Sequence, residues 1–185
     1  MNIFVGCSSR DVTDNVKWSR YCTATLEVTK FITAHKHTLV FGGCAKGLMG
    51  LMYKCMLLNK ANIIVAIPQA YIADAEELFY SNLFDFNTVS ERKDWIFKNT
   101  SMHIFLPGGI GTIDELFSSI EAKRCGEHNS PIIIIIINEQ GYFNDVLHVL
   151  ARVYDEGFAD EKDAKLYTVV NSTDEIVPTL EKFLA

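Results

Sequence analysis

The feature that most constrains the fold is a regular alternation of short, mainly apolar runs with longer segments of helical periodicity. The apolar runs occupy residues 3–5, 38–41, 63–67, 103–106 and 132–137. Runs that are apolar throughout are typical of strands covered on both faces, whereas half-exposed strands alternate apolar and polar residues. The sequence therefore predicts buried strands of a parallel sheet.

Between these runs, apolar residues recur at the spacing of one helix face. Three such sets are Trp18, Tyr21, Val28 and Ile32; Ile113, Leu116, Phe117 and Ile120; and Val146, Leu147, Leu150 and Val153. A strand near residues 166–170 and a helix bearing Ile176, Val177, Leu180 and Phe183 follow. This alternation predicts an α/β fold, a Rossmann-like doubly wound parallel sheet forming a single domain over residues 1–185. Residues 68–89 break the rhythm, and we expect them to form a lid or pocket wall.

Composition excludes several classes of partner. A net charge of -6 argues against binding to the phosphate backbone of nucleic acid. The longest aliphatic run, residues 132–137, is too short to cross a bilayer, and no signal-peptide pattern begins the chain. Five cysteines without a C-x-x-C pair fit reduced, buried thiols, and the five histidines lack metal-site spacing. We expect a cytoplasmic protein with no nucleic-acid, membrane or metal partner.

Small residues follow three of the predicted strands, in segments 6–9, 42–47 and 107–112. In a parallel sheet the carboxyl ends of the strands share one edge, where ligands bind. Segment 107–112, Pro-Gly-Gly-Ile-Gly-Thr, precedes a predicted helix whose first N–H groups suit a phosphate. It lacks the last glycine of the dinucleotide fingerprint, and Lys46-Gly47 reverses the Walker pair. Neither an NAD enzyme nor a P-loop ATPase is predicted.

Two charged residues are candidates for chemistry. Thr112-x-x-Glu115 has the spacing of a capping box, so Glu115 could cap its own helix or act in catalysis. On a helical wheel Glu115 points away from the apolar stripe, alongside Ser118, Ser119 and Ala122. Arg92 lies in a helix that a second capping box, Thr88-x-x-Glu91, would begin, and it shares a face with Trp95 and Ile96. An arginine in that setting requires a carboxylate or phosphate partner.

These motifs together resemble the Lonely Guy family, the cytokinin riboside 5'-monophosphate phosphoribohydrolases, whose members often carry the name lysine decarboxylase. The resemblance spans nearly the whole chain and rests on segments 6–9, 42–43 and 47–50, on Arg92-Lys93, and on Pro107-Gly108-Gly109-x-Gly111-Thr112-x-x-Glu115. It implies that Arg92 and Glu115 are the catalytic pair. The substrate-binding residues that it implies are Lys93, Gly108, Gly109, Ile110, Gly111, Thr112, Ile113 and Asp114. It also implies a homodimer or larger assembly and no metal or organic cofactor.

The implied activity is hydrolysis of the N-glycosidic bond of a nucleoside 5'-monophosphate, either AMP or an N6-substituted AMP of the cytokinin type. The chain departs from the family pattern at Cys44, where a third glycine is usual, and at residues 89–91, where Met-His is common. Both departures lie on the side implied for the base, so the base stays open. The alternatives are a nucleotide sensor without turnover and a deoxyribosyltransferase-like enzyme. A pyridoxal-dependent decarboxylase would need a Schiff-base lysine, and no lysine of the chain is singled out.

Overall fold

The computed structural model describes residues 1–135 and 141–184. The strands within these residues are β1 Asn2–Gly6, β2 Thr38–Phe41, β3 Ile63–Pro68, β4 Asn82–Phe86, β5 Met102–Phe105, β6 Ile132–Ile135 and β7 Tyr167–Val170. The α-helices are α1 Asn15–Ala34, α2 Gly47–Leu58, α3 Val89–Asn99, α4 Ile110–Arg124, α5 Asn144–Asp155 and α6 Thr173–Glu181. Residues 136–137 of the predicted fifth strand lie outside the described residues.

All of these strands pair in parallel in one sheet of order β4-β3-β2-β1-β5-β6-β7. The chain winds outward from β1 to β4, returns to place β5 on the other side of β1, and then continues to β7. Its direction therefore reverses between β1 and β5, where open α/β sheets bind their ligands. The predicted Rossmann-like doubly wound sheet is confirmed.

Two hydrophobic layers cover the sheet. Helices α1, α2 and α6 pack on one face and α3, α4 and α5 on the other. Successive residues of a strand point to opposite faces, so Ile3 and Val5 belong to the first layer and Phe4 to the second. Each such fully buried side chain contributes roughly 1.5–3 kcal/mol. Burial on both faces explains why the central strands show continuous rather than alternating apolar residues.

The structure corrects the prediction for residues 68–89. A 3-10 helix, Gln69–Ala75, is followed by β4, which pairs with β3 from Ile64–Asn82 to Pro68–Phe86. The prediction of an irregular lid was wrong for 82–86, because an edge strand has one neighbour and keeps polar residues exposed. Its Phe84 and Phe86 instead contact Trp95 of α3, with ring centroids 4.5 and 5.9 Å away.

Two further sequence expectations concern the membrane and the cysteines. Among the described residues, no helix combines the length and apolarity needed to span a bilayer. All five cysteines lie within those residues and are free thiols, but the expectation that they are buried holds only for Cys7, and Cys125 is exposed.

Candidate active site

Three loops meet at the crevice between β1 and β5. The amide of Leu106 donates to the carbonyl of Gly6 at 2.9 Å, and that of Ser8 donates to Pro107 at 3.0 Å. The amide of Met49, in the first turn of α2, donates to the carbonyl of Ser8 at 3.0 Å. The loops after β1, β2 and β5 are thus hydrogen-bonded into one surface, which confirms the predicted convergence of the small-residue segments.

A buried ion pair lies beneath these loops. Arg92 of α3 and Glu115 of α4 are 5% and 8% exposed, and the Arg92 Nη1 donates to Glu115 Oε1 at 2.5 Å. The Arg92 Nε donates to the carbonyl of Ala66 in β3 at 2.6 Å, and its guanidinium lies 5.9 Å from the Phe4 ring centroid. The expectation that Arg92 has a carboxylate partner is confirmed.

Each member of the ion pair keeps one polar atom available. Within residues 1–135 and 141–184, the contacts of the pair leave Glu115 Oε2 and Arg92 Nη2 without a hydrogen-bond partner. A Cβ at Gly6 would lie 3.0 Å from Glu115 Oε2, and one at Gly42 would lie 3.5 Å from Arg92 Nη2. Because Gly6 and Gly42 have no Cβ, the space beside each of these atoms that a methyl group would fill stays open. One acceptor therefore lies beside Gly6 and one donor beside Gly42.

The start of α4 is open at the same crevice. Gly109 is the N-cap and supplies no side-chain cap, and Ile110 is 88% exposed. The first amides of a helix have no acceptor within the helix and carry the positive end of its dipole. The exposed turn at Gly109–Gly111 therefore has the features of an anion site. Glu115 follows five residues after Ile110, so it lies about 7.5 Å along the axis.

The structure excludes one of the two roles left open for Glu115, that of capping its own helix. Helix α4 begins at Ile110, so Thr112 is its third residue and not its cap. The Thr112 hydroxyl is buried and donates to the carbonyl of Cys7 at 3.2 Å. Glu115 bonds Arg92 and not its own helix start, so this pair is not a capping box. Thr88 and Glu91 do form the capping box that was predicted.

The predicted orientation of α4 needs a correction. Its buried face comprises Thr112, Glu115, Leu116, Ser119 and Ile120, whereas Phe117 is 37% exposed. Placing Phe117 in the core stripe and Glu115 away from it was wrong. The helix packs on the sheet and also against α3, so the bond to Arg92 holds Glu115 on the inner face.

A second bridge joins α3 to α4 beside the first. The Lys93 Nζ donates to Asp114 Oδ1 and Oδ2 at 3.0 and 2.9 Å and to Ser118 Oγ at 2.9 Å. The side chains of Lys93 and Asp114 are 16% and 45% exposed. Lys93 and Asp114, both predicted to bind substrate, are thus brought next to the Arg92–Glu115 pair and bonded to each other. The sequence did not reveal this pairing.

Two residues next to the site, Cys7 and Tyr142, were not predicted from the sequence. Burial, followed by the negative charge of Glu115, raises the pKa of the Cys7 thiol, so Cys7 stays protonated. The Tyr142 hydroxyl donates to the Gly108 carbonyl at 2.5 Å. Tyr142 follows a different strand, and no local motif connects it to the loop.

In the part of the chain that the structure describes, no group of His, Cys, Asp or Glu side chains has the arrangement of a metal site.

The family model described as "Possible lysine decarboxylase" matches residues 49–180. The chain belongs to the Lonely Guy family. One relative, named probable cytokinin riboside 5'-monophosphate phosphoribohydrolase LOG4 of Oryza sativa subsp. japonica, is 30% identical over 89% of this chain and 71% of its own length. Another, cytokinin riboside 5'-monophosphate phosphoribohydrolase LOG1 of Arabidopsis thaliana, is 28% identical over 89% of this chain and 76% of its own.

The fold also occurs in a protein with a different name. The molybdenum cofactor carrier protein of Chlamydomonas reinhardtii superposes with a TM-score of 0.67 at 16% identity, covering 99% of this chain and 97% of the carrier. At this identity the likeness extends to the fold alone. A shared fold does not establish a shared function, so the function has to be argued from the site.

Proposed function

We propose that this Lonely Guy protein hydrolyses the N-glycosidic bond of a nucleoside 5'-monophosphate, giving the free base and ribose 5-phosphate. One observation carries the proposal: the buried carboxylate of Glu115 is held by Arg92 through one oxygen, while the other oxygen faces Gly6 at the crevice. The relatives named as phosphoribohydrolases support this reaction. We take residues 1–185 as a single nucleotide-binding domain.

The start of α4 would bind the phosphate. Its exposed amides follow Gly108 and Gly109, and the residues that the resemblance implies as substrate-binding continue through Ile110, Gly111, Thr112 and Ile113 to Asp114. The distance of about 7.5 Å along the helix from Ile110 to Glu115 is on the scale of one ribose 5-phosphate unit. Phosphate held at the helix start would therefore place the anomeric carbon near Glu115 Oε2, so that remote binding energy positions the reacting bond.

The chemistry then requires a negative charge beside the sugar. When the bond between C1' and the base nitrogen breaks, its electron pair leaves with the base and positive charge develops on the sugar. Water adds its hydroxyl to C1', and its remaining proton balances the charge of the departed base. Glu115 Oε2 would stabilise the positive charge or accept the proton from water, while the Arg92 guanidinium balances the buried carboxylate and fixes its direction.

The test is a panel of AMP and N6-substituted AMP analogues, assayed for ribose 5-phosphate. We expect release from at least one analogue, and the panel then identifies the preferred base. Glu115→Gln removes the negative charge and should lower kcat by about 100- to 1000-fold while nucleotide still binds. Glu127→Gln, a change at an exposed carboxylate after α4, is the matched control and should leave kcat unchanged. Full activity of Glu115→Gln would reject the assignment.

The second candidate is nucleotide binding without turnover. Both oxygens of Asp114 accept hydrogen bonds from Lys93, so this neighbouring carboxyl group is already bonded within the protein and is not free to act on a departing base. That observation favours a protein that binds and releases its nucleotide intact. Tight binding measured by calorimetry, with no ribose 5-phosphate from any analogue, would support this candidate. Transfer of the sugar to an added second base would instead identify a transferase.

A further inference from the structure

Two adjacent residues of α3 contact two adjacent residues of α4. Arg92 bonds Glu115 in the interior, and Lys93 bonds Asp114 at the surface side of the same helix pair. Lys93 also bonds Ser118, one turn after Asp114. Residues four apart lie above one another on a helix, so Asp114 and Ser118 define one edge of α4. The Lys93 ammonium is thus fixed to that edge at two points.

The ammonium of Lys93 is already engaged within the protein. It has three N–H donors, and the structure gives it three oxygen contacts at 2.9–3.0 Å. Its side chain is only 16% exposed. To contact a substrate phosphate it would have to leave Asp114, and that carboxylate would then repel the phosphate. The electrostatic arrangement therefore opposes a direct phosphate contact.

We infer that Lys93 is a positioning residue, which acts on the reaction through Asp114 and Ser118 without touching the substrate. Consecutive residues of a helix are 100° apart, so a rotation of α4 that moves Asp114 also moves Glu115. By fixing one edge of α4 to α3, Lys93 holds Glu115 Oε2 toward the crevice while Arg92 holds Oε1. The inference rests on the proposed function, because Oε2 is the atom that it positions.

The substitution Asp114→Asn separates the two possible roles of Lys93, because they predict effects of opposite sign. If Lys93 is a positioning residue, Asp114→Asn weakens the bridge and lowers kcat. If Lys93 binds phosphate, the same change frees its ammonium and removes a repulsive charge, so KM for the nucleotide and Kd for AMP both fall. Lys93→Met should lower kcat in the first case and raise KM in the second.

The experiment measures kcat and KM for Lys93→Met, Asp114→Asn and the double variant, with Lys98→Met of the same helix as an exposed control. We expect each single variant to lower kcat by about 10- to 100-fold, since small displacements of a reacting group have effects of this size. The double variant should be no worse than the single ones, KM should change little, and Lys98→Met should match the wild type. A lower KM in Asp114→Asn, or an unchanged kcat in Lys93→Met, would overturn the inference.

A second readout separates failure of this inference from failure of the proposed function. Urea unfolding of the wild type, Lys93→Met, Asp114→Asn and the double variant forms a double-mutant cycle for positions 93 and 114 that needs no substrate. We expect the cycle to show coupling, with the unfolding equilibrium constants departing from additivity by about 2- to 5-fold. If the wild type hydrolyses no analogue, the proposed function fails while this cycle still reports the bridge. Additive effects in the cycle would overturn the bridge itself.

Discussion

The substitution Gly6→Ala tests the placement of Glu115 most directly. The added Cβ would lie 3.0 Å from Glu115 Oε2 and 3.0 Å from Phe105 Cδ1. Ordinary contacts of carbon are about 3.5 Å or longer, so the methyl group overlaps by about 0.5 Å on both sides. Phe105 is fully buried against Phe4 and cannot retreat easily, so the carboxylate has to move. Overpacking of this kind costs about 1–3 kcal/mol of stability.

The expected kinetic effect follows from the same displacement. A 1 Å misplacement can lower the rate about 100-fold, so a shift of about 0.5 Å should lower kcat roughly 10-fold. Ribose 5-phosphate release and urea unfolding are measured on the same preparation, so that loss of folded protein is not mistaken for loss of catalysis.

Gly42→Ala is the matched comparison for Gly6→Ala. Its Cβ would meet the flexible end of Met49 at 3.3 Å and Arg92 Nη2 at 3.5 Å, so both effects should be smaller. If Gly6→Ala keeps the wild-type kcat and stability, Glu115 Oε2 does not occupy this position and the reasoning is wrong.

Two further predictions concern stability. Burial, with the neighbouring charges of His128 and Lys123, lowers the pKa of His103 to about 3 in the folded protein, from about 6.5 in the unfolded chain. Between pH 6.5 and pH 3 the unfolded state binds the proton and the folded state does not. The free energy of unfolding is therefore highest above pH 6.5 and falls as the pH drops toward 3, by about 2 kcal/mol at pH 5. Urea unfolding across this range should show a weaker pH dependence in His103→Gln; an equal dependence would contradict the assignment. Thr112→Val removes the buried hydrogen bond to the Cys7 carbonyl and should cost about 1–3 kcal/mol, whereas Thr112→Ser should cost less. Equal unfolding midpoints for the two Thr112 variants would count against that bond.

Local sequence patterns were sufficient for the central sheet. Ile3, Phe4 and Val5 are apolar in succession because each face of β1 is covered by helices. Such a run can be recognised from the local sequence, so the parallel sheet and the edge that holds the glycine loops could be predicted. Strand β4 carried no comparable signal, because Asn82 and Asp85 lie on an exposed edge. The signal for a strand therefore came from a continuous apolar run, which Asn82 and Asp85 interrupt in β4.

Part of the candidate site could likewise be predicted from local sequence, and part depended on tertiary packing. The sequence indicated that Arg92 needs an anionic partner and that residues 107–112 form a turn before a helix, since both follow from local chemistry. The sequence did not distinguish a capping role from a catalytic role for Glu115, because the spacing Thr112-x-x-Glu115 suits both. Only the packing of α3 against α4 brings Glu115 to Arg92 and Lys93 to Asp114. These contacts join residues more than 20 positions apart, and their geometry depends on how two helices lie on the sheet, which no local spacing determines.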